Sequence, residues 1–408
     1  MIKKKIIFND FCEWTFDTTR AEGSFIWDET GRKLIDFTSG WNVTNLGWNH
    51  PEITEAMILQ AKRSSYVPMW TLDPIQEKLA EELTKALPVG LNTCSRATGG
   101  TEANEEALKT ARAYTGRKKI LGFKDTYHGQ SFGTLAIGYL PEYEVVKAIS
   151  PLVPGFIQLD YPAISSREPQ EKILSDFSTQ LEEVLKNEDV AAVVTEAGII
   201  TGWGSTLMAP SGFLTAVRNL TKKYGTLLIL DEVGTGFSRC GKLFGMEIEG
   251  VVPDIVTFAK GFSNGAAAIG AMVTTTEIGE RTCNVTNLTS TFGWMPIACA
   301  ASLKTLEIHQ RDKVWEKAAR DGDYLQASLR EELKELSPAP TIRGIGMEIG
   351  VDFGQGRLVP RIVTESRKNG LHVVGDCENN LQIMPPLTIE RAVLDEGIEI
   401  LVKIIRSL

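Results

Sequence analysis

The sequence predicts an α/β fold, an open and mostly parallel sheet covered by helices. Three observations carry this. Short apolar runs such as Leu227–Leu230 and Ile255–Ala259 are bounded by turn signals and have the length of buried strands. Between residues 56 and 300 such runs alternate with helical patterns, the order expected of a parallel sheet and its crossovers. The runs also end in residues foreign to a core: Asp231 and Glu232 after the first, Lys260 and Gly261 after the second. Groups at the carboxyl ends of parallel strands face the crevice where ligands bind. An acid and a lysine 29 residues apart can therefore meet at one site.

Composition sets the outer bounds. With 408 residues the chain can bury a large core and divide into two or more domains. A net charge of −9 gives no support to nucleic-acid binding. Cys12, Cys94, Cys240, Cys283, Cys299 and Cys377 are scattered without a CxxC pair, which reads as free thiols in a reducing compartment. The histidines are too few and too dispersed for a metal cluster, and no metal is expected. The start, MIKKKIIFNDF, is basic and then apolar, but the apolar run is too short for a signal peptide. No apolar span is long enough for a transmembrane helix, so a cytoplasmic location is expected.

Taken in order, FIWDETGRKLIDFTSG alternates apolar and polar residues around Glu29-Thr30-Gly31, which is hairpin chemistry. Asn49-His50-Pro51 opens a helix with Pro51 in its first turn, and His50 reads as a cap or a packed ring. Thr98-Gly99-Gly100-Thr101 precedes the helical EANEEALKTARAYTG. Glycines there would let a phosphate reach the backbone N–H groups and the positive end of the helix dipole. Alone, the same string reads as an ordinary N-cap. No GK[ST] follows it, and GIGMEIG at 344–350 has the wrong spacing and position for a dinucleotide fingerprint.

The strand ILGF at 120–123 runs into Lys124-Asp125-Thr126-Tyr127-His128-Gly129, and AAVVTEAG at 191–198 carries Glu196 at its end. Thr291 lies in Ser290-Thr291-Phe292-Gly293 and, alone, reads as a cap for the helix beginning near Pro296. The chain closes on the amphipathic ERAVLDEGIEILVKIIRSL. A lysine beside a cavity, paired with a remote buried aspartate, suggests pyridoxal phosphate (PLP). The lysine amine forms a Schiff base with the aldehyde, and the aspartate keeps the ring nitrogen protonated. Without further context the same pair reads as a salt bridge at a strand end.

The context is DEVGTGF, then PDIV, then TFAKG. These words resemble the cofactor segment of the class III aminotransferases, a branch of the fold type I PLP enzymes. The resemblance runs from WDETGRKLIDFTSG to MPPLT, nearly the whole chain. It implies a large PLP-binding domain at 56–300 with a mostly parallel, seven-stranded sheet. It implies a small α+β domain built from 1–55 and 301–408. Lys260 and Asp231 become the catalytic pair, and Gly99, Gly100 and Thr101 the phosphate loop. Tyr127 would stack on the pyridine ring beside His128. Glu196 would lie near the Asp231 end of the cofactor, with Val233 also in contact. Thr291 would reach the phosphate of a neighbouring subunit, which implies a homodimer with shared sites. Trp41 falls at the pocket wall or in packing.

Four departures stand out. Thr98-Gly99 replaces Asn-Ser, and Gly234 replaces a glutamine that touches the cofactor's phenolic oxygen. In Leu381-Gln382-Ile383-Met384-Pro385-Pro386-Leu387, Gln382 takes the place of an arginine that grips an α-carboxylate. Thr201 takes the place of the glutamate that pairs with that arginine. Losing both halves avoids an unpaired buried charge, which would cost several kcal/mol. Neutral Gln382 and Thr201, with Trp41 and Trp294, describe a less anionic and more aromatic substrate pocket. The implied reaction is ping-pong transfer from an amine or ω-amino donor to a keto acid such as pyruvate, with Lys260 moving the proton. Ornithine-type and acetylornithine-type donors become less favoured. Arg343 is expected to be structural. A racemase, epimerase or aminomutase of the same family is the alternative.

Overall fold

The computed structural model describes residues 16–165, 168–202, 204–376 and 378–408. Cys12, Cys377 and the basic start lie outside the described residues. The strands in chain order are β1 (Phe25–Trp27), β2 (Lys33–Asp36), β3 (Thr93–Cys94), β4 (Lys119–Phe123), β5 (Phe156–Leu159), β6 (Val190–Glu196), β7 (Ile199–Ile200) and β8 (Leu207–Met208). They continue with β9 (Leu227–Asp231), β10 (Ile255–Phe258), β11 (Ala271–Thr274), β12 (Thr341–Ile345), β13 (Glu348–Asp352), β14 (Leu371–His372), β15 (Val374–Gly375) and β16 (Asn380–Ile383).

The large sheet has seven strands in the order β3-β11-β10-β9-β6-β4-β5, as the resemblance implied. β10, β9, β6, β4 and β5 are mutually parallel, while β11 pairs antiparallel with β10 and with β3. The central strands read VAAVVTE and LLILD because helices cover both faces, and every residue of both is buried. Each Leu or Ile buried there contributes roughly 2 kcal/mol.

The helix Gly100–Thr115 packs on this sheet through Ala103, Asn104, Ala107, Leu108 and Ala111, the spacing of one helical face. It stops at Gly116, whose φ of +70° suits a left-handed cap.

The predicted hairpin forms. β1 and β2 pair with Phe25 opposite Ile35, and Gly31 takes a φ of +81° at the turn. The helix Pro51–Ala61 starts with Pro51, but the His50 side chain makes no cap hydrogen bond. β2 also pairs with β14, so N-terminal and C-terminal segments share a small sheet. One apolar cluster joins Ile35, Phe37 and Ile53 to Leu325, Ile349, Leu394 and Leu401. A second sheet, β12-β13-β16-β15, completes this part. The expected divisions after residues 55 and 300 fall inside the helices Pro51–Ala61 and Pro296–Arg311, which pack on each other. No helix among the described residues is long and apolar enough to cross a membrane.

Candidate active site

Parallel register brings the acids together. Glu196 and Asp231 are paired neighbours at the ends of β6 and β9, and Thr257 of β10 lies on the other side of Asp231. Lys260 follows three residues later, where the chain leaves the sheet with a left-handed φ of +47°. Such a conformation in a long side chain costs about 1 kcal/mol or more and is tolerated where the surroundings enforce it. Alternation along the strand separates Asp231 from its neighbour. Asp231 lines the cavity, while Glu232 turns away and accepts the backbone N–H groups of Gly245 and Met246 at 2.7 and 2.6 Å.

The cavity measures about 450 Å³. Gly99, Gly100, Thr101, Tyr127, His128, Glu196, Thr201, Asp231, Val233 and Lys260 line it, so the structure gathers at one place most of the residues singled out from the sequence. At its floor Asp231 is held from several sides. Oδ2 accepts His128 Nδ1–H at 2.7 Å and Asn104 Nδ2–H at 2.8 Å, and Oδ1 accepts the Val233 N–H at 2.9 Å. Asn104 is itself fixed, donating to the His128 carbonyl at 2.8 Å and accepting from Thr257 Oγ1 at 2.7 Å. Sequence reasoning missed Asn104. Its signal was a polar residue among the alanines of the glycine-led helix's buried side, which also carries Glu106 and Thr110.

Glu196 accepts the Thr201 hydroxyl at 2.6 Å and the Thr201 N–H at 3.1 Å. Burial, and then the charge of Asp231, push its carboxyl up to about 7. Burial also holds the Lys260 amine below the ordinary lysine range, against the opposing pull of Glu196, Asp231 and Glu348. A lysine shifted this way is more easily neutral, as a proton acceptor must be.

Another part of the lining is an anion-binding cradle in form. The helix beginning at Gly100 has no side-chain cap, so its first N–H groups and dipole are left to the cavity. Gly99 and Gly270 are in close contact, since a Cβ on Gly270 would meet the Gly99 carbonyl at 2.5 Å. Gly234 is explained by its neighbour: a Cβ there would meet Thr201 Oγ1 at 2.1 Å. The two departures at 201 and 234 are thus one steric arrangement.

Four expected site residues lie elsewhere. Trp294 lies in the core. It is 1% exposed, packs edge-on against Phe262, and donates Nε1–H to the Gly270 carbonyl at 2.7 Å. It supports the cavity wall from the core and presents no face to a substrate. Trp41 is not part of the cavity lining; it stands behind it, with Nε1 donating to the Thr201 carbonyl at 3.3 Å. Gln382 is fully buried and likewise reaches Thr201, donating Nε2–H to the same carbonyl at 3.1 Å. Thr291 is exposed and lines no part of the cavity within one chain. Nor is it the cap of the helix Pro296–Arg311, whose N-cap is Met295. Arg343 spends its guanidinium on Asp352, Asn380 and the Thr206 carbonyl.

The chain matches the family described as Aminotransferase class-III over residues 10–405. It is 34% identical over 403 residues to an acetylornithine aminotransferase of Listeria innocua, covering 99% of this chain and 98% of that protein. It is 30% identical to an acetylornithine aminotransferase of Archaeoglobus fulgidus, covering 98% of both. Among solved structures, a thermostable (S)-enantioselective omega-transaminase from Thermomicrobium roseum superposes with a TM-score of 0.90 at 32% identity, covering 97% of this chain and 92% of that one. Enzymes of this family work with PLP, and the cavity suits it: a lysine, a deeply held aspartate and an uncapped helix end converge on a space of the right kind. Family match, relatives and geometry agree: the chain belongs to the class III, PLP-dependent aminotransferases.

Proposed function

We propose that the amine donor of this aminotransferase carries no clamped α-carboxylate, being a primary amine or an ω-amino compound, and that a keto acid such as pyruvate accepts the amino group. One observation supports this above others. Position 382, where the resemblance puts a guanidinium, holds a glutamine whose Nε2 is bound to Thr201 and Glu348 at 3.1 and 3.2 Å. Lys260 is the cationic side chain of the cavity lining among the described residues. The omega-transaminase from Thermomicrobium roseum agrees with this reading, whereas the relatives named as acetylornithine aminotransferases favour the competing donor.

In this reading PLP supplies an electron sink for the charge left when the C–H bond beside the amine breaks. Lys260 carries the cofactor and, once released, takes that proton on Nζ and returns it. Asp231 keeps the ring nitrogen protonated, with His128 and Asn104 fixing the carboxylate. Gly99, Gly100 and Thr101 bind the phosphate, Tyr127 covers the ring, and Val233 and Glu196 border it. The protein works as a homodimer in a reducing, cytoplasmic setting. Thr291 and the exposed Phe292, Trp70 and Leu72 face the second subunit.

The test is spectral. Adding 1-phenylethylamine to the PLP-loaded protein should bleach its visible band and release ketone, and pyruvate should restore the band. N-acetylornithine acting far faster than simple amines would sink the proposal. Gel filtration at monomer mass would remove the shared-site reading of Thr291.

A further inference from the structure

Gln382 and Glu348 lie on one face of the sheet β12-β13-β16-β15. Gly350 of β13 stands opposite Gln382 of β16, so Glu348, two residues along, points to the same side on the diagonal. Gly350 leaves the space between them open, and Thr206 fills it: a Cβ at 350 would meet Thr206 Cβ at 2.8 Å. Glu348 is fully buried. Its Oε2 accepts Asn42 Nδ2–H at 2.7 Å, and its Oε1 accepts the Thr206 hydroxyl at 2.8 Å.

These bonds decide which way the Gln382 amide faces. Nε2 has the Thr201 carbonyl at 3.1 Å, Glu348 Oε1 at 3.2 Å and Thr206 Oγ1 at 3.3 Å. The Thr206 proton already goes to Glu348, so all three neighbours are acceptors. Turning the amide over would set its oxygen against a carboxylate. Gln382 Oε1 is left buried without a partner. The nearby Arg239 offers Glu348 no hydrogen bond among the described residues. Its guanidinium is spent on the Met347 and Pro385 carbonyls, Ser39 Oγ and Asn45 Oδ1 at 2.7 to 3.1 Å.

We propose that Glu348 is the positioning residue that sets donor selection: from behind the cavity lining it holds the Gln382 amide nitrogen against the carbonyl of Thr201, which lines the cavity, and keeps substrate carboxylates from that wall. This rests on the donor reading above. The link to the site is Thr201: its carbonyl accepts the Gln382 amide, and the residue lines the same cavity as Lys260. A cation at position 382 would meet the Glu348 carboxylate first and be consumed in an internal ion pair, leaving no guanidinium for a substrate. Exclusion of α-carboxylates thus has two parts, and changing residue 382 alone does not reverse it.

The experiment uses the PLP-loaded dimer or monomer as purified, with Gln382→Arg, Glu348→Gln and the double variant. Two quantities are read: the ratio of kcat/KM for L-alanine to that for 1-phenylethylamine, with kcat and KM resolved, and calorimetric binding of propionate, an inert carboxylate. Gln382→Arg alone should move either by less than about 3-fold. The double variant should raise both at least about 10-fold beyond the product of the single changes, chiefly through KM, as coupled neighbours do. Gln382→Arg matching the double variant, or a double variant with unchanged propionate affinity, would overturn the proposal. Should the double variant not fold, Glu348→Gln alone decides: propionate should bind about 3-fold more tightly by loss of one repelling charge, and unchanged affinity refutes the idea. A parent enzyme preferring N-acetylornithine would remove the donor reading, while propionate binding would still report on Glu348.

Discussion

Asp231 and His128, 103 residues apart in the chain, share a buried hydrogen bond of 2.7 Å. The bond joins the end of β9 to the turn after β4, two strands separated in the sheet by β6. Asn104 closes the gap by binding both residues from the adjacent helix. The carboxylate is thereby fixed in orientation before any ligand arrives, as the role proposed for it in holding a ring proton requires.

Asn104→Ala tests this arrangement. It removes one donor to Asp231 and leaves Thr257 Oγ1 only the longer contact to Asp231 Oδ1 at 3.4 Å. The expected loss is about 1–3 kcal/mol of stability. A roughly 10-fold fall in kcat with little change in KM should accompany it, since Asp231 matters most when charge develops on the ring. Steady-state kinetics and thermal denaturation read the two effects separately, and an unchanged kcat would assign Asn104 to packing alone.

Lys260→Ala should abolish both turnover and the visible band of bound cofactor, because nothing else in the cavity lining offers an amine. Residual PLP held by the helix end and Asp231 would absorb as the free aldehyde. Any retained steady-state turnover would count against Lys260.

Glu196→Gln should stabilise the protein in a pH-dependent way. The folded carboxyl is raised to about 7 by burial and by Asp231, from an ordinary 4.5. Between those values the folded chain binds more protons than the unfolded one, so stability falls as pH rises through the window. The penalty is absent below the lower value and complete above the upper one. The glutamine variant should therefore gain about 1–3 kcal/mol near pH 8 and much less near pH 5. Melting curves at the two pH values check the sign; an equal gain at both would disprove the shift.

Gly234→Ala should be destabilising by about 1–3 kcal/mol through overpacking against Thr201. In a Thr201→Ala background the main clash is removed, since the atom in the way at 2.1 Å is the Thr201 hydroxyl and only the Thr201 Cβ at 3.2 Å stays close. A double-mutant cycle on thermal stability should return a coupling of similar size, and simple additivity would show that the two positions are independent.

Trp294→Ala should cost about 3–5 kcal/mol by opening a core cavity and leaving the Gly270 carbonyl only the longer hydrogen bond from the Ala97 N–H. Trp41 is half-buried and should cost less when truncated, while changing donor preference through Thr201. Comparing melting temperature with the alanine to 1-phenylethylamine ratio for both variants separates the roles.

Much was legible in sequence because it is local. Apolar runs of strand length, a polar residue where each run ends, and glycines ahead of a helical pattern state where strands stop and where backbone N–H groups are left open. Asp231, Lys260, Glu196 and the glycine loop were found this way, and the parallel order of their strands placed them at one edge. The family words added the cofactor, which no spacing alone could supply.

Tertiary structure decided the rest. Only strand alternation shows that Asp231 faces the cavity and Glu232 does not. Only helix packing shows that Trp294 belongs to the core. Asn104 and Glu348 act through partners up to 306 residues away, such as the Asn42 that binds Glu348, and no periodicity along the chain encodes such a contact. The sequence by itself determined the strands, the chemistry at their ends and the family. Sheet register and burial determined which side chains meet, because a hydrogen bond forms between neighbours in space, and neighbours in space are chosen by the packing of the whole chain.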